Sequence, residues 1–452
     1  MRQNQSDPAK RIALRYAEYN VPRYTSYPTA ADFTPAIGAG DHKEWLAGLN
    51  RQESISIYLH VPYCREICLY CGCNTKMAVR DEVISRYRRA LEAEIGLVAN
   101  LIGNVPGVGR LHWGGGTPSI LGLDGLQSVL AVLANHFPRD PACEQAIELD
   151  PRYVTAELAD GLAALGVTRA SLGVQDVNPL VQAAIGRIQP LATVELAVKR
   201  LRSAGITNLN FDLIYGLPLQ TPESIRETCA LVSAMAPDRI ASFGYAHLPR
   251  LKANQRRIDD AALPSLAQRI DQAELVAEEL TARGYVRIGI DHFAVPADSL
   301  VTASRSGKLH RNFQGYTEDD KRVLLGFGAS SISTFVEGFV QNIPDVPKYV
   351  QEIEAGSLAS ARGCRLDEDD SRRGRIIERL MCDFFVDVAA IAPEVDFSRE
   401  FSMLAPMIGD GLVEIKGTNL IVTDAGRPVV RVVAAAFDNY RRPQSAQFSK
   451  AV

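Results

Sequence analysis

From about residue 55 onward, short apolar or β-branched runs alternate with longer stretches whose apolar residues recur every three or four positions. Runs of this kind need cover on both faces, so the alternation predicts parallel strands joined by crossover helices. The expected strands fall at 55–61, 110–113, 145–149, 169–174, 208–214 and 240–245, with amphipathic helices such as 81–101 and 191–204 between them. Six βα units are too few to close an eight-fold barrel. The expected class is therefore α/β, an open three-quarter (β/α)6 partial barrel whose site lies at the C-terminal ends of its strands. The stretch 285–293 (YVRIGIDHF) reads as a further strand, and 309–333, rich in Gly, Ser and polar residues, reads as loops near a site.

With 452 residues there is room for more than one core. The pattern divides into an N-terminal arm (1–35), a catalytic partial barrel (36–345) and a smaller, mainly helical, winged-helix-like domain (346–452). In the last, helices around 372–385 and 397–408 precede GLVEIKGTNLIVTDAGRPVVRVVAAAF, which reads as a hairpin followed by a helix. A wing invites a DNA-binding reading. Here acidic LDEDD abuts SRRGR, the net charge is -4, and no basic stripe forms, so no nucleic-acid partner is expected. The domain is read instead as a lid or scaffold. No apolar run approaches the ~20 residues of a membrane span, and the first twenty residues carry no secretory pattern. A cytoplasmic location is expected.

Four of the eight cysteines fall within YLHVPYCREICLYCGCNTK, directly after the first expected strand. Cys64, Cys68 and Cys71 form a C-x3-C-x2-C loop, and three thiolates on one short loop can wrap one face of an iron–sulfur cubane. A [4Fe-4S] cluster normally takes four cysteines, so three leave one iron open to the amino and carboxylate groups of S-adenosylmethionine. An electron passed from the cluster then breaks the sulfonium bond and releases a 5′-deoxyadenosyl radical. That chemistry requires an external low-potential electron donor. Cys73 adds a fourth thiol, so a closed, tetrahedral zinc site in a winged-helix DNA-binding regulator is the competing reading. Zinc ligands usually come in pairs separated by a long spacer, whereas these four share one loop. Cys143, Cys229, Cys364 and Cys382 are scattered and read as reduced thiols.

The second strand runs into HWGGGTPS, where Gly114, Gly115, Gly116 and Thr117 let the backbone approach a ligand. This is not a dinucleotide fingerprint, because Ser119 occupies the third glycine position. Glu148, Gln175 and Asp212 fall at or near the ends of the third, fourth and fifth strands. Carboxylates and amides so placed suit ribose hydroxyls and adenine edges.

The cysteine loop resembles that of the radical S-adenosylmethionine superfamily, and CREICLYCGCNTK resembles the oxygen-independent coproporphyrinogen III oxidase family. PRYTSYPTA, YAHLPR, DHFA and HRNFQGYT resemble segments of the same family, while Tyr70 stands where that family usually has Phe. The resemblance implies that Cys64, Cys68 and Cys71 hold the cluster and that Cys73 is required without being an ordinary ligand. It implies that Tyr58, Gly115, Glu148 and Ile332 contact the S-adenosylmethionine at the cluster. Tyr70, Gly116, Thr117, Gln175, Arg187, Asp212 and Ala246 would contact a second one beside it. The implied reaction converts two propionates of coproporphyrinogen III to vinyls, giving protoporphyrinogen IX with two S-adenosylmethionine molecules per turnover. A flavodoxin or ferredoxin would supply electrons to a monomeric enzyme. Cys73, Tyr24 and Arg311 are the candidate catalytic residues. A tetracarboxylate needs cations and hydroxyls in an apolar wall, and Arg23, Tyr24, Tyr27, His292 and Arg311 are the candidates. A neighbouring function, haem carriage or haem methylation and opening, is the other alternative; haem carriers usually lack the RYTSYPTA arm.

Overall fold

A computed structural model describes residues 8–49 and 52–441. The six strands form in order: β1 (Ile55–Val61), β2 (Val108–Gly115), β3 (Arg139–Leu149), β4 (Arg169–Gln175), β5 (Asn208–Tyr215) and β6 (Arg239–Gly244). Each pairs parallel with the next. The crossovers carry α1 (Asp81–Ile102), α2 (Gly122–His136), α3 (Ala156–Ala164), α4 (Leu191–Ser203) and α5 (Pro222–Ala234), and α6 (Leu266–Ala282) packs on α5.

Strand geometry sends alternate side chains to opposite faces. Ile55, Ile57, Leu59, Leu111, Trp113, Ile147, Leu172 and Phe211 enter the main core beneath the helices. Their neighbours Arg110, Glu144, Arg169, Asn210, Asp212 and Arg239 line a polar cavity of about 260 Å³, around which the sheet curls. The strands were expected to be apolar on both faces; one face is instead a charged interior, held by pairing. Arg110 lies 3.1 Å from Glu144 and 3.2 Å from Glu318, and Arg239 lies 2.8 Å from Asp298 and 3.2 Å from Glu318. Burial opposes the Glu318 carboxylate, yet Arg239 and Arg110 hold it down to about 2.

The sheet extends beyond the expected six strands to an open sheet of twelve. On the β6 side, the stretch read as one strand folds as two, β7 (Val286–Ile288) and β8 (His292–Ala294), with β8 antiparallel to β6. On the β1 side, β9 (Leu324–Phe327) pairs parallel with β1, followed by antiparallel β10 (Ile332–Thr334), β11 (Gly338–Asn342) and β12 (Ser360–Arg365). Much of 309–333 was read as loop; β9 is only four residues long and takes its register from β1, far away in sequence. A hairpin, His310–Asn312 with Gly315–Thr317, also forms there.

Helices α7 (Glu368–Asp383) and α8 (Ser398–Gly409) surround a three-stranded sheet of Phe385–Asp387, Asn419–Val422 and Val413–Lys416. The expected helix after the hairpin is a 3₁₀ turn, Asp424–Val429, leading into short α9 (Val430–Ala434), because Pro428 supplies no N–H for a longer α-helix. Ile376, Leu380, Leu404, Leu420 and Phe437 form a second core that also takes in Tyr16, Val21, Tyr24 and Tyr27 of the arm. Hydrogen bonds reinforce this docking. Arg431 donates to the carbonyls of Val21 (2.6 Å) and Pro22 (3.0 Å), and Tyr24 Oη to Asp438 (2.9 Å). No helix among the described residues is long and apolar enough to cross a membrane.

Candidate active site

After β1 the chain enters the cysteine loop, whose base is closed by parallel pairing of Tyr63–Cys64 with Lys76–Met77. Cys64 lies at that base, and it borders one cavity of about 530 Å³ together with Cys68, Cys71 and Cys73. The loop's carbonyls are satisfied by the turn at Ala253–Arg257. Asn254 Nδ2 donates to the carbonyls of Cys68 (3.1 Å), Leu69 (3.1 Å) and Cys71 (2.9 Å), while Gln255 Nε2 donates to that of Tyr70 (2.8 Å). Lys252 Nζ donates to the Cys73 carbonyl at 2.9 Å. Buried backbone carbonyls need such partners, so these side chains fix the loop.

The donor set fits a cluster. All eight cysteines are free thiols, and Arg187 Nη1 donates to Cys68 Sγ at 3.4 Å. Thr117 Oγ1 donates to Cys64 Sγ at 3.5 Å. A hydrogen bond with Cys73 pulls the Cys71 thiol down to about 6, whereas burial pushes Cys64 up to about 11. Among the described residues no three His, Cys, Asp or Glu side chains converge at the scale of a single metal ion; the thiols instead share the rim of a larger cavity. Gly116 makes room at the rim: a Cβ there would stand 2.8 Å from the Tyr63 carbonyl carbon and 3.0 Å from Cys64 Sγ.

The strand ends supply the opposite wall. Tyr70, Gly115, Gly116, Thr117, Glu148, Gln175, Arg187, Asp212 and Ala246 all border the cavity. Glu148 accepts from the Gly115 N–H at 3.1 Å and lies 3.2 Å from His112 Nε2. Burial works against its carboxylate, but those two partners hold it below the ordinary range. Asp212, bonded to Ser171 Oγ at 3.0 Å, is pushed up to about 7 by burial and by the Glu148 charge. The two carboxyls thus present an acceptor and a titratable group to one ligand space. Arg187 also reaches Asp150 (3.1 Å) and the Gly173 carbonyl (2.9 Å), and burial of the Asp150 carboxylate is outweighed by Arg152 and Arg187.

Six sequence candidates lie off this cavity's lining, among them Tyr27, which borders a cavity near the 310–317 hairpin, and His292, which borders the charged interior of the sheet. Tyr58 packs beneath it, where a Cβ on Gly114 would meet the Tyr58 hydroxyl at 2.9 Å. Ile332 lies in β10, two strands from β1. Tyr24 turns at φ +47 and spends its hydroxyl on Asp438, and Arg311 borders a different cavity. Arg23 does reach the cavity, donating to the Gly244 carbonyl at 2.9 Å. Sequence reading missed His60, which bridges Tyr58 Oη (3.1 Å) and the Asn74 carbonyl (3.3 Å). The two-residue period of β1 put it on the Tyr58 face and could have found it. It also missed Asn254 and Gln255, for which no periodic signal exists.

Residues 58–232 match the Radical SAM superfamily, and residues 366–429 match the HemN C-terminal domain. The chain is 46% identical over 447 residues to oxygen-independent coproporphyrinogen III oxidase of Bradyrhizobium diazoefficiens, covering 98% of this chain and 99% of that protein. The chain belongs to the oxygen-independent coproporphyrinogen III oxidase family. The family's Escherichia coli member is 39% identical, over 96% of both chains. A solved structure, coproporphyrinogen III oxidase (HemN) from Escherichia coli, described as a radical SAM enzyme, aligns with a TM-score of 0.89 at 37% identity. It covers 94% of this chain and 100% of its own. Family membership makes the chain a radical S-adenosylmethionine oxidoreductase with a [4Fe-4S] cluster. The zinc-regulator and haem-handling alternatives are not favoured.

Proposed function

We propose that the chain catalyses the oxygen-independent oxidative decarboxylation of coproporphyrinogen III to protoporphyrinogen IX. The observation that carries this reading is the gathering of four thiols and the polar strand ends around one cavity, in a chain aligned end to end with that family. Cys64, Cys68 and Cys71 would hold the cluster, and Tyr58, Gly115, Glu148 and Ile332 the S-adenosylmethionine on it. Tyr70, Gly116, Thr117, Gln175, Arg187, Asp212 and Ala246 would hold a second molecule. When bound, these groups supply one-electron cleavage of a sulfonium and a 5′-deoxyadenosyl radical that removes a substrate hydrogen.

The protein's own residues orient and enclose. Asn254, Gln255 and Lys252 hold the loop backbone, Glu148 would accept hydrogen bonds from the bound S-adenosylmethionine, and Cys73, which borders the same cavity, would meet the substrate. Each propionate loses a hydrogen atom, an electron and carbon dioxide to become a vinyl, so two turns of radical chemistry complete one product and an external acceptor takes the electrons. Tyr24 and Arg311, off the cavity, would act by holding the arm and the substrate carboxylates. A flavodoxin or ferredoxin would supply electrons to a monomer. Eight free thiols and a reducing cofactor suit the cytoplasm.

The test is anaerobic. Reconstituted protein with reductant, S-adenosylmethionine and coproporphyrinogen III should form protoporphyrinogen IX, carbon dioxide and 5′-deoxyadenosine. Deoxyadenosine without change in the tetrapyrrole would defeat the substrate assignment.

A further inference from the structure

A further cavity, of about 70 Å³, lies where β5 and β6 end, between α6 and the C-terminal domain. Six arginines border it: Arg23 of the arm, Arg269 of α6, Arg287 of β7, Arg311 of the hairpin, and Arg427 and Arg431 of the C-terminal domain. Asp291 and Glu274 are the carboxylates on the same wall. Such a concentration of cation is out of keeping with a chain of net charge -4.

Three of the six guanidinium groups, those of Arg269, Arg287 and Arg311, carry buried donors that the protein leaves unused. The Arg311 side chain is 4% exposed, stacks 4.4 Å above the Tyr316 ring and lies 3.9 Å from Asp291. Its Nε and Nη1 are buried without a hydrogen-bond partner, as are Nε of Arg269 and Nε of Arg287. Unsatisfied buried donors on cations are costly. Burial and the neighbouring arginines act in the same sense, with Glu274 and Asp291 opposing them at Arg287: Arg287 is lowered by burial and by Arg427, Arg269 by burial and by Arg23, and Arg431 to about 9 by burial and by Arg23. An anion would relieve all of these at once.

Arg23 and Gly244 border both this cavity and the one that holds the thiols. A molecule in the larger cavity can therefore extend a side arm into the smaller. At roughly 30 Å³ per water, the smaller cavity has room for a carboxylate and not for a macrocycle.

Resting on the function proposed above, we infer that this arginine cavity anchors a propionate carboxylate of the substrate that is not being decarboxylated, while the macrocycle faces the cysteine loop. Planar guanidinium forks match a carboxylate in a bidentate manner. The anchored propionate is kept away from the thiols, so the cavity selects which arms are spared. The C-terminal domain thereby becomes part of the substrate site through Arg427 and Arg431. The carboxylate of S-adenosylmethionine is the other source of the same chemistry.

Holoenzymes carrying Arg287→Gln and Arg427→Gln separate these sources. The KM for coproporphyrinogen III is expected to rise roughly tenfold or more for each lost charged pair, with cluster absorbance and S-adenosylmethionine affinity as in the wild type. Fluorescence titration with unreactive porphyrins gives a second readout: mesoporphyrin IX carries only the two spared propionates, so the wild type should prefer it over its dimethyl ester, and the variants should lose that preference. Variants with unchanged KM and preference would overturn the anchor, as would variants that weaken S-adenosylmethionine binding instead. A wild-type holoenzyme that binds neither porphyrin would overturn the functional reading on which the anchor rests. Should Arg287→Gln fail to fold, Arg427→Gln, whose side chain is 37% exposed, carries the test.

Discussion

Replacing Gly116 with alanine tests the close approach of backbone to the cysteine loop. A Cβ at this position would lie 2.8 Å from the Tyr63 carbonyl carbon and 3.0 Å from Cys64 Sγ, where ordinary contact begins near 3.4 Å. The obstructing atoms cannot swing aside: Tyr63 and Cys64 are paired with Lys76 and Met77, and the Thr117 N–H donates to the Tyr63 carbonyl at 2.8 Å. The base of the loop must therefore shift by ~0.5 Å, at the limit of what a catalytic constellation tolerates. Overpacking of this kind costs ~1–3 kcal/mol, and a displacement approaching 1 Å lowers turnover by about 10²-fold. Gly116→Ala is expected to lower the melting temperature, reduce iron and sulfide per chain after anaerobic reconstitution, and weaken S-adenosylmethionine binding in equilibrium dialysis. Gly409→Ala, in α8 with nothing within 4 Å of the added Cβ, is the control and should be neutral or slightly stabilising. Wild-type iron content and turnover in Gly116→Ala would refute the reasoning.

Cys73→Ser should keep the cluster's visible absorbance yet lose porphyrinogen turnover, whereas Cys64→Ser should lose the cluster; loss of iron in Cys73→Ser would make that thiol a ligand. Arg187→Gln removes a buried partner of Asp150 (3.1 Å) and should cost about 3 kcal/mol in urea unfolding, because a buried charge loses compensation; an unchanged midpoint would contradict this. Glu94 accepts from Tyr349 Oη (2.6 Å), Asn342 Nδ2 (2.5 Å) and the Gly328 N–H (2.7 Å), yet burial pushes it from 4.5 to about 7. The folded state then binds the proton more tightly than the unfolded one. Its contribution is complete below pH 4.5 and is lost as pH rises to about 7, by about 3 kcal/mol. Glu94→Gln should flatten the pH dependence of unfolding across that window, and an unaltered slope would show that the carboxyl does not titrate there.

The order and type of the six parallel strands were legible in the chain, with β1 matching its expected limits residue for residue and β2 and β3 running longer. Hydrophobic periodicity is a local property, and a strand flanked by amphipathic helices has few other places to go. The cysteine loop was equally legible, since four cysteines at short spacing leave one loop to build. Elements whose register is lent by distant partners were not: β9 exists because β1 offers an edge, and the hairpin at 310–317 lies within a stretch read as loop.

The sequence by itself determined the strand order, the cysteine loop and most of the polar residues that meet around it, because spacing and alternation act over a few residues. Only the tertiary structure decided that β-strand faces would enclose a charged interior, that Asn254 and Gln255 would hold the loop's carbonyls, and that Tyr24 would turn away to Asp438. It alone brought arginines from the arm, α6, β7, the hairpin and the C-terminal domain to one wall. Coulombic and hydrogen-bond partners are chosen by proximity in space, and no local pattern records which charges, hundreds of residues apart, a fold will bring within a few ångströms.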